Sequence, residues 1–191
     1  MTMHLEPYLV SDSIVQASAL EIIDLAHRLR TSNPSDLAFM QAAFEWVRDH
    51  IDHSYDVADP RVTITATEVL AAGVGLCYAK SHLLAALLRS EGIPTGLCYQ
   101  RLATEHGHVI HGLVAVYVEG YWRRLDPRGN NDRLSSSFDL ENESLAYWPN
   151  PQLGEIDYPQ VYALPASEVI IALAPRDNAL AMALPSTLHT V

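Results

Sequence analysis

Cys77, His111 and Asp126 carry the side chains that covalent acyl chemistry needs: a thiol nucleophile, an imidazole to move its proton, and a carboxylate to orient the ring. Cys77 follows Gly73-Val74-Gly75-Leu76 and precedes a run, Tyr78 to Arg89, with neither glycine nor proline. Leu83, Leu84, Leu87 and Leu88 recur in that run at helical spacing, so a buried helix over 78–89 is expected, with the cysteine at its first turn. A helix start offers unpaired N–H groups and the positive end of the macrodipole, and cysteines placed there form the reactive thiolate more readily. Taken alone, the same stretch equally describes a small buried hydrophobe, which most free cysteines are.

The second cluster decides between these readings. Val109 to Val118 is rich in Val and Ile and reads as a strand; Glu119-Gly120 is a turn signal, and Tyr121 to Asp126 returns as its partner. A two-residue loop at 119–120 sets Val118 opposite Tyr121, Tyr117 opposite Trp122, Val116 opposite Arg123, Ala115 opposite Arg124, Val114 opposite Leu125 and Leu113 opposite Asp126. His111, two residues before Leu113, then shares a sheet face with Asp126 as its diagonal neighbour, about 7–8 Å away at the backbone. Facing a helix-start thiol, that pair makes a nucleophile, a base and an orienter. The histidines at 106, 108 and 111 also raise a metal-binding alternative, but no cysteine or acidic residue stands at a metal-ligand spacing, and neither a metal nor another cofactor is expected. His106 and His108 are then loop or cleft residues, and His82 a packing or surface residue of the helix.

Holding these residues in place falls to the rest of the chain. A helix is expected over 13–30, capped by Asp12 or Ser13, and a second from Pro34 or Ser35 to about His50. Residues 52–64 read as loop. Thr65 with Glu68 three residues on is a capping-box pattern opening a short helix that ends at Gly73. Gly92 and Pro94 stop the reactive helix, and Thr95 to Leu102 is a strand holding Cys98 as a buried residue. Residues 131–160 are irregular, with prolines at 149, 151 and 159. A helix is expected from Pro165 through Ala174, although Val169-Ile170-Ile171 also suits a strand. Another helix is expected over 177–184, then a frayed tail from Pro185.

Composition excludes several function classes. The formal net charge of -11 leaves little for a nucleic-acid surface, which needs clustered Lys and Arg. No apolar run is long enough to span a bilayer, the stretch Met1 to Pro7 has no secretory-leader pattern, and the two cysteines suit a reducing compartment, so a cytoplasmic protein without membrane partners is expected. Oligomeric state leaves no trace in the sequence.

Gly75 to Pro94 resembles the nucleophile helix of the transglutaminase-like superfamily, bacterial members in particular. His111 to Tyr117 and Leu125-Asp126-Pro127 resemble its histidine and aspartate motifs in the expected order, and Trp46 to Ile51 with Ala66 to Leu70 resemble its lead-in. The resemblance implies an α+β, papain-like fold: a nucleophile helix on an antiparallel sheet, flanked by N-terminal and C-terminal helices. It implies one domain over 1–191, with a core at about 35–130 and an extension from 131 to 191. It also assigns roles: Cys77 as nucleophile, His111 as base and acid, Asp126 as orienter. The implied reaction is attack on a peptide or carboxamide carbonyl through a thioester, followed by transfer to water, as in a peptidase or amidase. Transfer to an amine, as in a transglutaminase, and a silent binding module are the alternatives. The second donor to the oxyanion is open among Tyr55, Trp46 and the Cys77 backbone.

Overall fold

The helix that carries the cysteine runs through the middle of the molecule, and the other elements are arranged around it. The computed structural model describes residues 4–189. Residues 1–3, part of the stretch read against a leader, and residues 190–191 of the tail lie outside them. Three helices come first: α1 (Leu20–Ser32), α2 (Asp36–His50) and, after the two-residue strand β1 (Asp52–His53), α3 (Ala66–Ala72). Strand β2 (Val74–Gly75) leads into α4 (Cys77–Ser90), and then come the strands β3 (Thr95–Thr104), β4 (Gly107–Val118) and β5 (Tyr121–Leu125). Strand β6 (Ile156–Asp157) and helix α5 (Ser167–Leu173) complete the set.

Every residue of α4 from Cys77 to Arg89 is buried. A helix covered on all sides needs apolar residues all round or fully partnered polar ones. Leucine and alanine meet the first requirement. Arg89 meets the second by donating to the carbonyls of Thr95, Val10 and Ala163. Lys80 donates to the carbonyls of Arg48 and Ile51 at the end of α2, and His82 bonds the Ile64 carbonyl through Nδ1 at 2.7 Å. Helices α1, α2 and α3 and strands β3 and β4 all pack against α4. The four-stranded antiparallel sheet has the order β5-β4-β3-β6. Mixed helices and a curled antiparallel sheet place the fold in the α+β class.

Local signals behave as expected wherever the chemistry is local. Ser35 caps α2 by accepting from the Ala38 N–H, and Thr65 and Glu68 form the reciprocal capping box on α3. Gly73 ends α3 at φ 68, a left-handed angle that glycine adopts without steric cost. Glu119 and Gly120 both have positive φ, the two-residue hairpin turn whose twist matches the flanking strands. The register is therefore the expected one from Val118↔Tyr121 to Val114↔Leu125, where the ladder ends, short of a Leu113–Asp126 pair.

Three expectations fail. The first helix begins at Leu20, not near 13: Asp12 Oδ1 accepts from the N–H groups of Ile14 and Val15 in a turn, and Gln16 takes φ 51 while its side chain holds Thr67 on α3. Residues 177–184 make one turn over Asn178 and no helix, because Arg176 sits at φ 56 and the Ala179 N–H donates outward to the Pro60 carbonyl. The tail is not frayed through 189: the Ile110 N–H donates to the Pro185 carbonyl, and Leu188 is buried. The run at 169–171 is helical, its β-branched residues placing Val169 in the core and Ile171 outside. Most buried apolar residues, from Val15 to Leu188, share one core, and Cys98, Leu113, Ala115 and Leu145 form a second, smaller cluster.

Candidate active site

The site forms where the first turn of α4 meets the middle of β4. Close approach is possible because residue 112 is glycine: a Cβ there would lie 2.8 Å from the Tyr78 ring. As a result the Gly112 N–H donates to Cys77 Sγ at 3.4 Å. This backbone contact was not legible in the sequence, since nothing in a strand pattern tells which N–H a helix will meet.

His111 stands beside that contact. Its Nε2 is 2.8 Å from Asp126 Oδ2, a contact the hairpin register permits, and Nδ1 is the ring nitrogen the carboxylate does not engage. Asp126 is fully buried and accepts two backbone N–H groups as well, from Arg128 to Oδ1 and from Ala146 to Oδ2, each at 3.1 Å. Burial alone would raise its carboxyl; His111 and the two N–H donors outweigh that and hold it below the usual carboxylate range. For His111, burial would lower the imidazole, but the Asp126 carboxylate and the Cys77 sulfur reverse the balance and lift it from 6.5 to about 10. The ring is thus held as a proton carrier at neutral pH.

Two supports come from the irregular region after β5. Ala146 supplies one of the carboxylate's donors, and Tyr147 lies edge-on to the His111 ring with centroids 4.9 Å apart. Sequence reading passed over both, because the segment 131–160 has no periodicity to mark it.

The remaining residues sort cleanly. His53, in β1, pairs with Gly75 across the short parallel ladder and borders the Cys77 cleft. Its burial, helped by the Arg128 guanidinium, takes its pKa down to about 3, so the ring is neutral. Its Nδ1 is buried with no hydrogen-bond partner. Tyr55 borders the same cleft, whereas Trp46 stacks on His50 with ring centroids 5.0 Å apart and is not among the residues that line it. His108 bonds Arg101 and the Leu153 carbonyl, and His106 is exposed. Cys98 is a free thiol that burial pushes up to about 12. Among the described residues, no group of three or more His, Cys, Asp or Glu converges as a metal site would require, and no helix is long and apolar enough to cross a membrane. The Cys77 cleft is small, about 100 Å³, and Leu184 forms part of its wall. A larger open groove of about 650 Å³ along 60–63 and 176–177 contains no thiol or imidazole.

Comparison with known proteins bears on the fold and the family. A candidate cysteine protease from Cytophaga hutchinsonii superposes with a TM-score of 0.57 at 17% identity, covering 67% of this chain and 43% of its own. The periplasmic domain of TgpA from Pseudomonas aeruginosa gives a TM-score of 0.48 at 17% identity, covering 63% of this chain and 46% of its own. The chain thus matches less than half the length of either. A comparison with curated proteins finds no significant match. The family model of the transglutaminase-like superfamily matches residues 23–127, more than half of the chain, from within α1 through Asp126. This chain belongs to the transglutaminase-like superfamily.

Proposed function

We propose that the protein is a cysteine hydrolase, a peptidase or amidase, in which Cys77 is the nucleophile, His111 the base and acid, and Asp126 the orienter. The observation that carries the reading is the convergence of the three side chains: His111 bonds a fully buried Asp126 and lines one cleft with Cys77, whose Sγ accepts from the N–H of the next residue, Gly112. In the reaction, the Cys77 proton is already held on the His111 ring, and Sγ attacks the carbonyl carbon of the scissile amide as the anion of that pair. His111 returns that proton to the departing amine, leaving a thioester on Cys77. Water then attacks the thioester with His111 as base, and the carboxylic acid leaves as the thiol is restored. Asp126 fixes the tautomer and balances the imidazolium. One domain spans residues 4–189, with 131–189 integral to it, since that extension supplies Ala146 and Tyr147. The free thiols at 77 and 98 suit a reducing cytoplasm.

The test is acylation by p-nitrophenyl acetate, with and without a primary amine. A burst of p-nitrophenolate and a +42 Da adduct (one acetyl group) on Cys77, cleared by water, are the expected results. An amide formed with the amine in preference to acetate would favour the acyltransferase alternative, and no adduct at all the silent module.

His53 is our choice for the second oxyanion donor, beside the Cys77 N–H at the open helix start. Its Nδ1 has no acceptor, so the neutral ring carries its proton on Nε2 and avoids an orphaned buried N–H. A neutral imidazole can donate to a developing oxyanion without prior loss of charge. His53→Ala should slow ester acylation about 100-fold while leaving alkylation of Cys77 by iodoacetamide, which forms no oxyanion, within about twofold. Equal loss in both reactions would assign His53 a structural role, and loss in Tyr55→Phe instead would move the donor to Tyr55.

A further inference from the structure

The open edge of β4 next to the nucleophile is already in use. Strand β5 pairs with β4 only from Val114 to Val118, so residues 107–113 present an unpaired edge on that side. Backbone N–H groups two residues apart point the same way from a strand. Here the Gly112 N–H meets Cys77 Sγ, and the Ile110 N–H, about 7 Å along the edge, donates to the Pro185 carbonyl at 2.8 Å. Leu184, the residue before, lies in the wall of the Cys77 cleft with Leu102 and Val109. A backbone carbonyl on the strand edge and an apolar side chain in the pocket is how a sheet edge receives an extended peptide.

The segment that makes these contacts is held at both ends and has little holding it between. The Ala179 N–H is bonded to the Pro60 carbonyl, and Leu188 is buried with its N–H on the Tyr158 hydroxyl at 3.2 Å. Between these anchors the strap has no Asp, Glu, Lys or Arg, and Leu180, Met182 and Leu184 are half-buried while Ala181 and Ala183 are exposed. Peptide backbone can therefore displace it without undoing either anchor.

We propose that the cleft binds an uncharged, extended peptide along the β4 edge, with an apolar side chain beside Cys77, and that Leu184-Pro185 occupy this subsite until such a peptide displaces them. The inference rests on the acyl-transfer reading for the chemistry after binding, but binding itself is tested without turnover. Cys77 alkylation by iodoacetamide is monitored by mass spectrometry in the full chain. Leu184→Ala is expected to raise the alkylation rate about tenfold, and Leu188→Ala, which loosens the strap at its anchor without touching the cleft, to raise it in the same direction. The synthetic peptide Ala-Met-Ala-Leu-Pro-Ser-Thr-Leu, capped at both ends, should return Leu184→Ala to the wild-type rate, and a scrambled peptide should not. Unchanged rates in both variants, or equal protection by the scrambled peptide, overturn the proposal. Protection by the native peptide together with a failed ester burst sustains the peptide site and removes the hydrolase reading.

Discussion

Replacing Cys77 with Ala is expected to abolish ester acylation and amide turnover, a loss of about 10⁶-fold if the nucleophile contributes as much as it does in other triad enzymes. The fold should survive. The substitution removes a single sulfur at the edge of the core, where the residue is 8% exposed, and should cost about 1 kcal/mol. The Gly112 N–H loses its acceptor, but the space the sulfur leaves joins the cleft that Cys77 lines, so water can take its place. Intact-protein mass spectrometry after ester treatment reads the result directly. Cys98 is not a substitute, because burial both hides it and pushes its thiol up to about 12. An acyl adduct or residual turnover in Cys77→Ala would place the chemistry on another residue and overturn the assignment.

Asp126 should produce the second-largest effect, on rate and stability together. Its carboxylate has three donors and no solvent, so Asp126→Ala leaves His111 Nε2 and the N–H groups of Arg128 and Ala146 unpaired in the interior. Removing one partner from a buried charged pair costs about 3 kcal/mol or more, and in a chain of this size that lowers Tm by roughly 6–12 °C. Asp126→Asn keeps the volume and some acceptor capacity and should melt closer to wild type, but a wrong tautomer at the imidazole lowers acylation about 10⁴-fold. A merely structural Asp126 would show the melting change without the Asn variant's rate loss.

The pH dependence has a definite sign. His111 is raised on folding, so its contribution is complete below pH 6.5 and declines as the pH climbs toward about 10. Asp126 is lowered, so its contribution is present above the ordinary carboxyl value of 3.8 and is lost as acid titrates its depressed folded value. The stability gap between wild type and Asp126→Asn should therefore be widest from about pH 4 to 6.5. Without the carboxylate, burial dominates at His111, and the alkaline limb of the acylation profile should move to lower pH. A limb that stays near 10 would show that Asp126 does not hold the imidazolium.

Short-range features of this protein could be read directly from residue order. The capping box at Thr65 and Glu68, the left-handed stop at Gly73, the buried helix from Cys77 and the two-residue turn at Glu119-Gly120 each depend on residues within a few positions of one another. Because a hairpin register is set by its turn, the meeting of His111 and Asp126 was also legible. Failures fell where a distant partner outweighed a local preference: Gln16 bonded to α3 instead of extending α1, and Ala179 bonded to Pro60 instead of continuing a helix.

The cysteine and the hairpin are different matters. Nothing in a separation of 34 positions brings residue 77 to residue 111; packing of α4 on β4 does so, through the space left at Gly112. Tertiary structure alone also brought Ala146 to the carboxylate, His53 to the rim and Leu184 into the cleft. These contacts come from segments with no periodic pattern, held by backbone groups that every residue carries, so residue type could not announce them.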